Sequence, residues 1–417
     1  MSPRALSLSL LCLSATLAQR TARAQTPPPA PAAHAPTPDG RVRIAFGQGA
    51  TMSTADGNFE LNLRARIQTR FTLTSEVGSG EEPATEFSIR RMRVVFQGHA
   101  IDRALQYYIQ LGFSNRDTES DLRLPLRDAY VTWTRWRDVQ IRAGQMKVPF
   151  DRQRVVSSSA LQFVDRSIVT SELNLDRDVG VQVFSRDLLG LGNRLGYQLG
   201  VFGGDGRNRL SSTSGLLWVA RLEFTPFGRF DDYVEGDLER LDRPRLAVGV
   251  GVAYNQNTVR ARSTFDATYA LGGFDYLHGE VDLAFKWRGL SVLGAAILRR
   301  ADVAVHEGTV DGTPRSEFSR SYFGWFAQAG YLFNQHLELV ARYGDLRPTV
   351  LDTARFTPLQ RAQFDREQRA RHEVGGGLNW YFQGHSLKLQ TDYFYYFGER
   401  LDDRGEHQAR VQLQLFF

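Results

Sequence analysis

The feature that most constrains this chain is the alternation of apolar and polar residues over 59–73. The odd positions are apolar apart from one threonine, whereas the even positions are polar and include Arg64, Arg66 and Arg70. A β-strand sends successive side chains to opposite faces. The segment therefore predicts a strand with one apolar face and one polar, basic face.

Similar segments recur to the end of the chain, and most have about ten residues, the length of a tilted strand that crosses a membrane. Short turns alternate with long polar loops, as at the two rims of an outer-membrane barrel. The 226–244 connection breaks this alternation because it is long where a short turn is due. We predict an all-β fold, a 16-stranded antiparallel transmembrane β-barrel of porin type, with strands at 59–75, 86–98, 103–114, 126–135, 138–148, 178–186, 194–203, 216–225, 245–256, 275–287, 290–300, 320–333, 336–344, 373–382, 385–397 and 408–417.

Two other architectures are less compatible with the sequence. A soluble two-sheet protein also alternates, but aromatic residues at predicted strand ends, such as Trp133, Trp287 and Trp380, suit the interfacial girdles of a barrel. The chain contains no uninterrupted apolar run of about 18 residues, which excludes a multi-helix transporter. Its one cysteine, Cys12, excludes a disulfide scaffold and a cysteine-ligated metal site.

The N-terminus has the pattern of an export signal. Residues 1–24 combine a basic Arg4, an apolar run and small residues before a cleavage point after Ala24. Residues 25–58 form a Pro/Ala-rich linker and lead-in, either a plain spacer or a tether that touches the cell wall. Residues 59–417 form the predicted barrel, which we expect in the outer membrane of a Gram-negative bacterium.

Several motifs resemble the phosphate-selective porin O/P family. The run from Leu126 to Tyr130 reads LRDAY and that from Gly144 to Phe150 reads GQMKVPF, while RRMRVVFQG precedes the third strand. Their order and spacing extend the resemblance over about residues 59 to 417. The family implies a 16-stranded barrel, usually a homotrimer, with an inward-folded third loop. The terminal Phe417 is similar to the signal read by outer-membrane assembly machinery, and the periplasmic coiled coil of some members is missing.

Arginine dominates the cations of this chain. Lys147, Lys286 and Lys388 are the only lysines among 51 basic residues, and the net charge is just +5. Arginine suits fixed anion-binding surfaces, although genome composition also explains such a bias. In a water-filled pore, rings of charge set selectivity. The predicted channel-lining residues, which alternatively pair with acids into a structural lattice, are Arg64, Arg66, Arg70, Arg91, Arg93, Arg142, Arg221 and Arg342.

The long loop at 149–177 follows the fifth predicted strand and is the constriction that the family resemblance implies. Few lysines are present to match the lysines and arginine ladder of phosphate-selective members, so a preference for other anions is equally open. The predicted constriction residues are Lys147, Arg152, Arg154, Asp165, Arg166 and Arg177.

Other functional classes find little support in the sequence. No Gly-x-Ser-x-Gly elbow is present, and the histidines lack zinc-ligand spacing, so we predict no enzyme activity, cofactor or metal. The small net charge disfavours nucleic acid as a partner. We expect a passive, anion-preferring porin in the lipid bilayer, with small anions as permeants and a homotrimeric assembly. A general non-selective porin and a non-conducting structural or adhesive barrel remain the alternatives.

Overall fold

The computed structural model describes residues 42–115, 117, 124–210, 215–350, 353–399 and 404–417, so the predicted signal peptide and most of the Pro/Ala-rich linker lie outside the described residues. The strands are β1 Arg43–Ala45, β2 Gly49–Ser53, β3 Glu60–Glu76, β4 Ala84–Ala100, β5 Asp102–Gly112, β6 Leu126–Trp133, β7 Gln140–Lys147, β8 Arg177–Ser185, β9 Leu195–Phe202, β10 Leu217–Phe224, β11 Arg245–Thr258, β12 Phe274–Trp287, β13 Leu290–Ala301, β14 Val305–Val310, β15 Thr313–Phe318, β16 Tyr322–Leu332, β17 Leu337–Pro348, β18 Arg371–Gln383, β19 Leu387–Phe397 and β20 Glu406–Phe416.

Sixteen of these strands, β3–β13 and β16–β20, form one closed antiparallel barrel. Each pairs with its successor, and β20 pairs with β3 from Glu406 opposite Glu76 to Phe416 opposite Arg66. The predicted fold class is therefore confirmed, and each of the sixteen predicted strands overlaps an observed one. The alternation of apolar and polar residues predicted the strands correctly because every barrel strand has one face towards the interior and one away from it.

The two faces of the barrel differ in the way the alternation predicts. Outward apolar side chains such as Val181, Leu222 and Val281 are exposed, whereas interior polar side chains such as Arg66, Gln328 and Asn379 are buried. Exposed aromatic residues occur at both strand ends, with Trp287 and Trp380 at the short-turn rim. A soluble protein would reverse this distribution. Among the helices in the part of the chain that the structure describes, none has the length and apolar character needed to cross a bilayer.

The N-terminal lead-in forms a small hairpin that alternation did not reveal. Strand β2 pairs with β1 and also with β3, where Ser53 lies opposite Glu60 and Ala50 opposite Leu63. Strand β20 pairs with β3 immediately after the part of β3 that β2 occupies, and Phe417 exchanges two main-chain hydrogen bonds with Ala65 (2.7 and 2.9 Å). One edge of β3 is thus shared by β2 and β20 in succession.

The third long loop, residues 148–176, folds into the barrel and contains the helices α1 (Arg152–Val155) and α2 (Ile168–Leu173). We call it the constriction loop. Its buried Val148, Phe150 and Val169 pack with interior residues of the wall such as Ala253 and Phe326, so an apolar core lies inside the barrel. A third helix, α3 (Pro358–Glu367), and the hairpin β14–β15 belong to long loops at the same rim.

Candidate functional site

The interior of the barrel has two unlike sectors. The arginine wall, strands β3–β8, carries arginines that border open cavities. The docking wall, strands β10–β13 and β16–β19, contacts the constriction loop over most of its length. The two sectors place the predicted residues in different environments.

An outer cavity of about 560 Å³ lies between the constriction loop and the tops of β4 and β18–β20. Among the residues that the structure describes, eight arginines and two carboxylates line it. The carboxylates are Asp165 and Glu406, and the arginines are Arg90, Arg91, Arg154, Arg166, Arg369, Arg371, Arg404 and Arg410. The described lining of this cavity therefore carries an excess of fixed positive charge.

A second cavity of about 250 Å³ adjoins the first, since both are bordered by Arg90, Arg91, Arg154 and Arg166. Within the described part of the chain, nine cations and three carboxylates line it, and the further cations are Arg93, Arg127, Lys147, Arg177 and Arg207. The three carboxylates are Asp117, Asp176 and Asp266. Positive charge therefore continues from the outer cavity towards the middle of the barrel.

Two β-bulges increase the number of arginines in these cavities. In β4 the register passes from Ile89 directly to Arg91 against β3, so Arg90 is an extra residue. In β6 it passes from Leu126 to Asp128 against β5, so Arg127 is extra. Bulges re-aim side chains, and here each extra arginine borders the second cavity. Strict alternation would have sent Arg90 and Arg127 outward.

Asp165 of the constriction loop gathers several of these arginines. Its carboxylate lies 2.6 Å from Arg70, 3.4 Å from Arg91 and 3.5 Å from Arg410. Burial by itself would raise the pKa of Asp165, but Arg70, Arg90 and Arg410 outweigh that effect and hold the pKa well below its usual range. Asp165 is therefore a fixed negative charge that tethers the loop to the arginine wall.

The constriction loop also contacts the arginine wall at Ser158. Its hydroxyl accepts hydrogen bonds from Arg66 Nη2 (3.0 Å) and Arg93 Nη1 (3.4 Å), and its carbonyl accepts one from Gln68 (3.2 Å). These contacts narrow the interior between the second cavity and the short-turn rim. Lys147 holds the root of the same loop by donating to the carbonyls of Val155 and Val156 (2.7 and 3.1 Å).

A third cavity of about 700 Å³ lies at the short-turn rim, between the hairpin β1–β2 and strands β3–β7. The rings of Tyr108 and Tyr130 stack in it with centroids 5.2 Å apart, and the Arg142 guanidinium lies 4.6 Å over the Tyr130 ring. Arg64 lies near this end of the wall, where it donates to Gln97 (2.6 Å). The arginine wall thus has open space at both ends.

On the docking wall, arginines are paired with acids and with the constriction loop. Arg221 is fully buried and donates to Glu280 (2.7 Å), Asp282 (2.5 Å) and the Phe150 carbonyl (2.7 Å). Arg152 is fully buried as well and pairs with Asp282 and Asp232.

Arg342 follows the same pattern. It pairs with Glu373 (2.9 Å) and donates to the carbonyls of Asp165 and Arg166 (3.0 and 3.3 Å). These interactions fix the loop in place and neutralise the charges of this wall.

Interior glycines explain why loops dock on this wall. A side chain at Gly330 would meet the Gln162 amide at 2.1 Å, and one at Gly324 would meet Val169 at 3.0 Å. A side chain at Gly249 would meet both Arg221 and Asp282, at 2.2 and 2.5 Å. The absence of side chains at these positions leaves the space that the constriction loop and its ion pairs occupy.

The sequence of this barrel is similar to those of known proteins. The model of the phosphate-selective porin O and P family matches residues 61–268, about half of the chain. The chain belongs to this family. An uncharacterized protein of Aquifex aeolicus (strain VF5) is 23% identical to it over 315 residues, covering 69% of this chain and 67% of that protein.

Solved porin structures share the barrel of this family member at low sequence identity. The outer membrane channel DcaP of Acinetobacter baumannii has a TM-score of 0.54 at 13% identity, covering 86% of this chain and 98% of that one. An anion-selective porin from Comamonas acidovorans has a TM-score of 0.53 at 10% identity, covering 86% and 99%. OmpF of Salmonella typhi has a TM-score of 0.55 at 14% identity, covering 86% and 98%. These likenesses concern the fold.

The predicted site residues of this porin divide between the two sectors. Arg91, Arg93, Lys147, Arg154, Asp165, Arg166 and Arg177 border the outer or second cavity, and Arg142 borders the third. Arg66 and Arg70 contact the constriction loop from the arginine wall. Arg221 and Arg342 of the docking wall and Arg152 of the constriction loop are instead enclosed where the loop meets that wall. The sequence analysis missed Arg90 and Arg127, and the consecutive basic pair Arg90-Arg91 was the signal that could have pointed to the first bulge.

Proposed function

We propose that the chain is a passive, anion-preferring channel of the outer membrane. The observation that carries this proposal is the pair of adjoining cavities beside the constriction loop. Among the described residues, eight arginines and two carboxylates line the outer cavity, and nine cations and three carboxylates line the second. A water-filled route lined by one sign of charge concentrates counter-ions and repels co-ions. The anion-selective porin from Comamonas acidovorans, which shares the fold, is consistent with this reading.

The route would run from the outer cavity through the second cavity, past Ser158, and out through the third cavity. Guanidinium groups keep their charge across the physiological pH range, so the attraction is permanent. Exposed charges are screened within about 8 Å at physiological ionic strength. Anion preference should therefore be strongest in dilute salt, and strongest near Ser158, where the constriction loop brings Arg66 and Arg93 close to the ion.

The substrate class follows from the donors on this route. Arginine forks fit oxyanions such as phosphate and carboxylate as well as halides. Lys147 borders the second cavity, whereas Lys286 and Lys388 lie on the docking wall, where they donate to the carbonyls of Asp231 and Leu161. We propose small anions as the permeants and leave phosphate as the specific candidate that the family description suggests.

The test is a planar-bilayer recording of the refolded protein across a KCl gradient. The parent channel should give a reversal potential on the chloride side, and the triple variant Arg90→Gln, Arg91→Gln, Arg127→Gln should move it towards zero. The control removes three exposed arginines instead, by Arg135→Gln, Arg300→Gln and Arg315→Gln, and should leave it unchanged. An unchanged potential in the first triple variant would refute the proposal.

The same recording separates the alternatives. Block of the chloride current by millimolar phosphate would identify phosphate as a preferred anion, while anion preference without block would indicate a general anion porin. No selectivity would favour a non-selective porin, and no conductance would favour a structural or adhesive barrel. Nothing in this mechanism requires catalysis.

The assembly is also part of the proposal. We expect a homotrimer in the outer membrane, as the family resemblance implies, and recognition of Phe417 by assembly machinery. The Phe417 side chain is 44% exposed while its main chain is bonded to Ala65, so it is presented outward at the end of the last strand. Native mass spectrometry of the detergent-extracted protein tests the trimer, and removal of Phe417 tests export efficiency.

A further inference from the structure

The connection between β10 and β11, residues 225–244, is unlike the other connections at its rim. The neighbouring turn from β12 to β13 needs only Arg288 and Gly289. This connection instead turns into the barrel, and the Glu235 amide donates to the Ala160 carbonyl of the constriction loop (2.9 Å). The two segments enter from opposite rims and meet in the interior.

An apolar contact and one carboxylate hold them together. Val156, Ala160 and Leu161 of the constriction loop pack with Tyr233 and Val234 of the connection. These five side chains form a small cluster where the two segments touch.

The buried Glu235 carboxylate accepts hydrogen bonds from the main-chain N–H of Gln162 (2.8 Å), from Gln153 Nε2 (3.2 Å) and from Gln328 Nε2 (3.0 Å). One side chain therefore joins the connection, the constriction loop and strand β16. A buried carboxylate with three donors is costly to disturb.

The rest of the connection is tied both to the constriction loop, through Arg152, and to the docking wall. Asp232 pairs with Arg152 (2.5 Å), the Lys286 ammonium donates to the Asp231 carbonyl (2.7 Å), and Asp237 accepts from the Gly289 amide (2.7 Å). Gly236 has φ +80°, and a side chain there would lie 3.1 Å from the Glu338 carboxylate. This fit leaves the connection close against the wall.

The charges of the docking wall next to the connection differ from those of the arginine wall. Near the connection, the four carboxylates of the docking wall lie beside three cations of that wall and Arg152 of the constriction loop. The carboxylates are Glu223, Glu280, Asp282 and Glu338, and the cations are Arg152, Arg221, Lys286 and Lys388. An ion route through this sector would have no reason to favour anions.

We propose that residues 225–244 act as an internal partition that determines specificity, because they seal the charge-balanced sector and confine ions to the arginine wall. The proposal rests on the anion-channel function above and adds the segment that makes the preference effective. Two parallel water-filled routes contribute to the current in proportion to their conductances, so opening the balanced route would dilute the selectivity of the charged one.

The test measures single-channel conductance and reversal potential in Glu235→Ala, with the exposed Glu239→Ala of the same segment as matched control. Loss of an interior carboxylate alone would shift the preference towards anions, whereas opening of the partition shifts it away from them. We expect Glu235→Ala to raise conductance about 1.5-fold and to halve the anion-to-cation permeability ratio. The control should match the parent.

A second variant replaces residues 227–242 by a short glycine-containing turn and should show both changes more strongly. Heat-modifiable migration on a denaturing gel verifies that each variant forms the barrel. If the parent prefers anions but neither variant changes conductance or selectivity, the partition is refuted and the channel proposal stands. If the parent shows no anion preference, the channel proposal itself fails, and conductance alone then reports whether the connection seals a route.

Discussion

The arginine wall and the docking wall carry the same residue type on the same face of the same barrel, yet they use it differently. On the docking wall, Arg221 and Arg342 are enclosed by carboxylates and by carbonyls of the constriction loop. On the arginine wall, bulges add Arg90 and Arg127, and cavities remain open beside them. The environment of an inward arginine thus depends on whether the segment packed opposite it supplies carboxylates and carbonyl oxygens as partners.

Interior side-chain size sets this difference. Gly249, Gly324 and Gly330 leave space for a loop to approach, and a docked loop supplies partners that neutralise the wall. The corresponding positions of β3 and β4 hold long arginines, which keep the constriction loop at the distance of a hydrogen bond through Ser158. The ion pairs of the docking wall hold the loop in place, whereas the arginines of the arginine wall border open cavities.

The largest expected effect comes from breaking the docking wall at Arg221. Replacement by alanine leaves the buried Glu280 without its arginine partner and removes one of the two arginines that pair with Asp282. Breaking a buried ion pair in this way typically costs about 3–5 kcal/mol. We expect Arg221→Ala to lower the free energy of unfolding in denaturant by that amount. Arg142→Ala, on the arginine wall, loses a cation–π contact and should cost less than half as much. Equal losses would show that the two walls do not differ in this way.

A side chain added to the docking wall should have the next largest effect. Gly249→Val places atoms where Arg221 and Asp282 already lie and should cost about 1–3 kcal/mol through overpacking. Gly279→Val is the matched control, because a Cβ at Gly279 meets nothing within 4 Å. Thermal unfolding in detergent measures both. A Gly249→Val barrel as stable as the control would contradict the role of glycine in docking.

Selectivity should sharpen when the carboxylate at the outer cavity is removed. Asp165→Asn deletes the negative charge that faces Arg70, Arg91 and Arg410 and should raise the anion-to-cation permeability ratio about 1.5-fold. Asp311→Asn, an exposed change in the turn between β14 and β15, should leave the ratio as it is. Reversal potentials in dilute KCl measure the difference, and a lower ratio in Asp165→Asn would contradict the arrangement.

The smallest expected effect is the response to mild acid. Arginines hold the pKa values of Asp117, Asp165 and Asp176 below their usual range against the opposing effect of burial. A depressed pKa keeps a carboxylate charged until the pH falls through its folded-state value, so these three remain ionised between pH 7 and pH 5. We expect a constant reversal potential over this window. A rise in anion preference towards pH 5 would mean that the acids are already titrating.

The sequence was sufficient to predict the barrel because the alternation shows which residues of each strand share a face. That information gives both the number of strands and which side chains point into the barrel. It also identified Arg91, Arg93 and Arg142 as interior residues. It could not reveal Arg90 and Arg127 as cavity residues, since a bulge depends on register with the neighbouring strand. Nor could it separate Arg152 from Arg154, which lie two residues apart in α1 but face a buried acid cluster and a cavity, respectively.

The hairpin at the start of the barrel has a consequence for how the cylinder closes. Strand β2 already occupies the edge of β3 at Glu60–Leu63, so the last strand can advance only until Phe417 meets Ala65. A slip of one residue would turn every outward apolar side chain of β20 into the interior. Because only a local turn separates β2 from β3, the pairing of these two strands is expected to form early in folding. Strand β2 then blocks β20 from pairing further along the edge of β3. The first residues of the barrel would then set the alignment of the last.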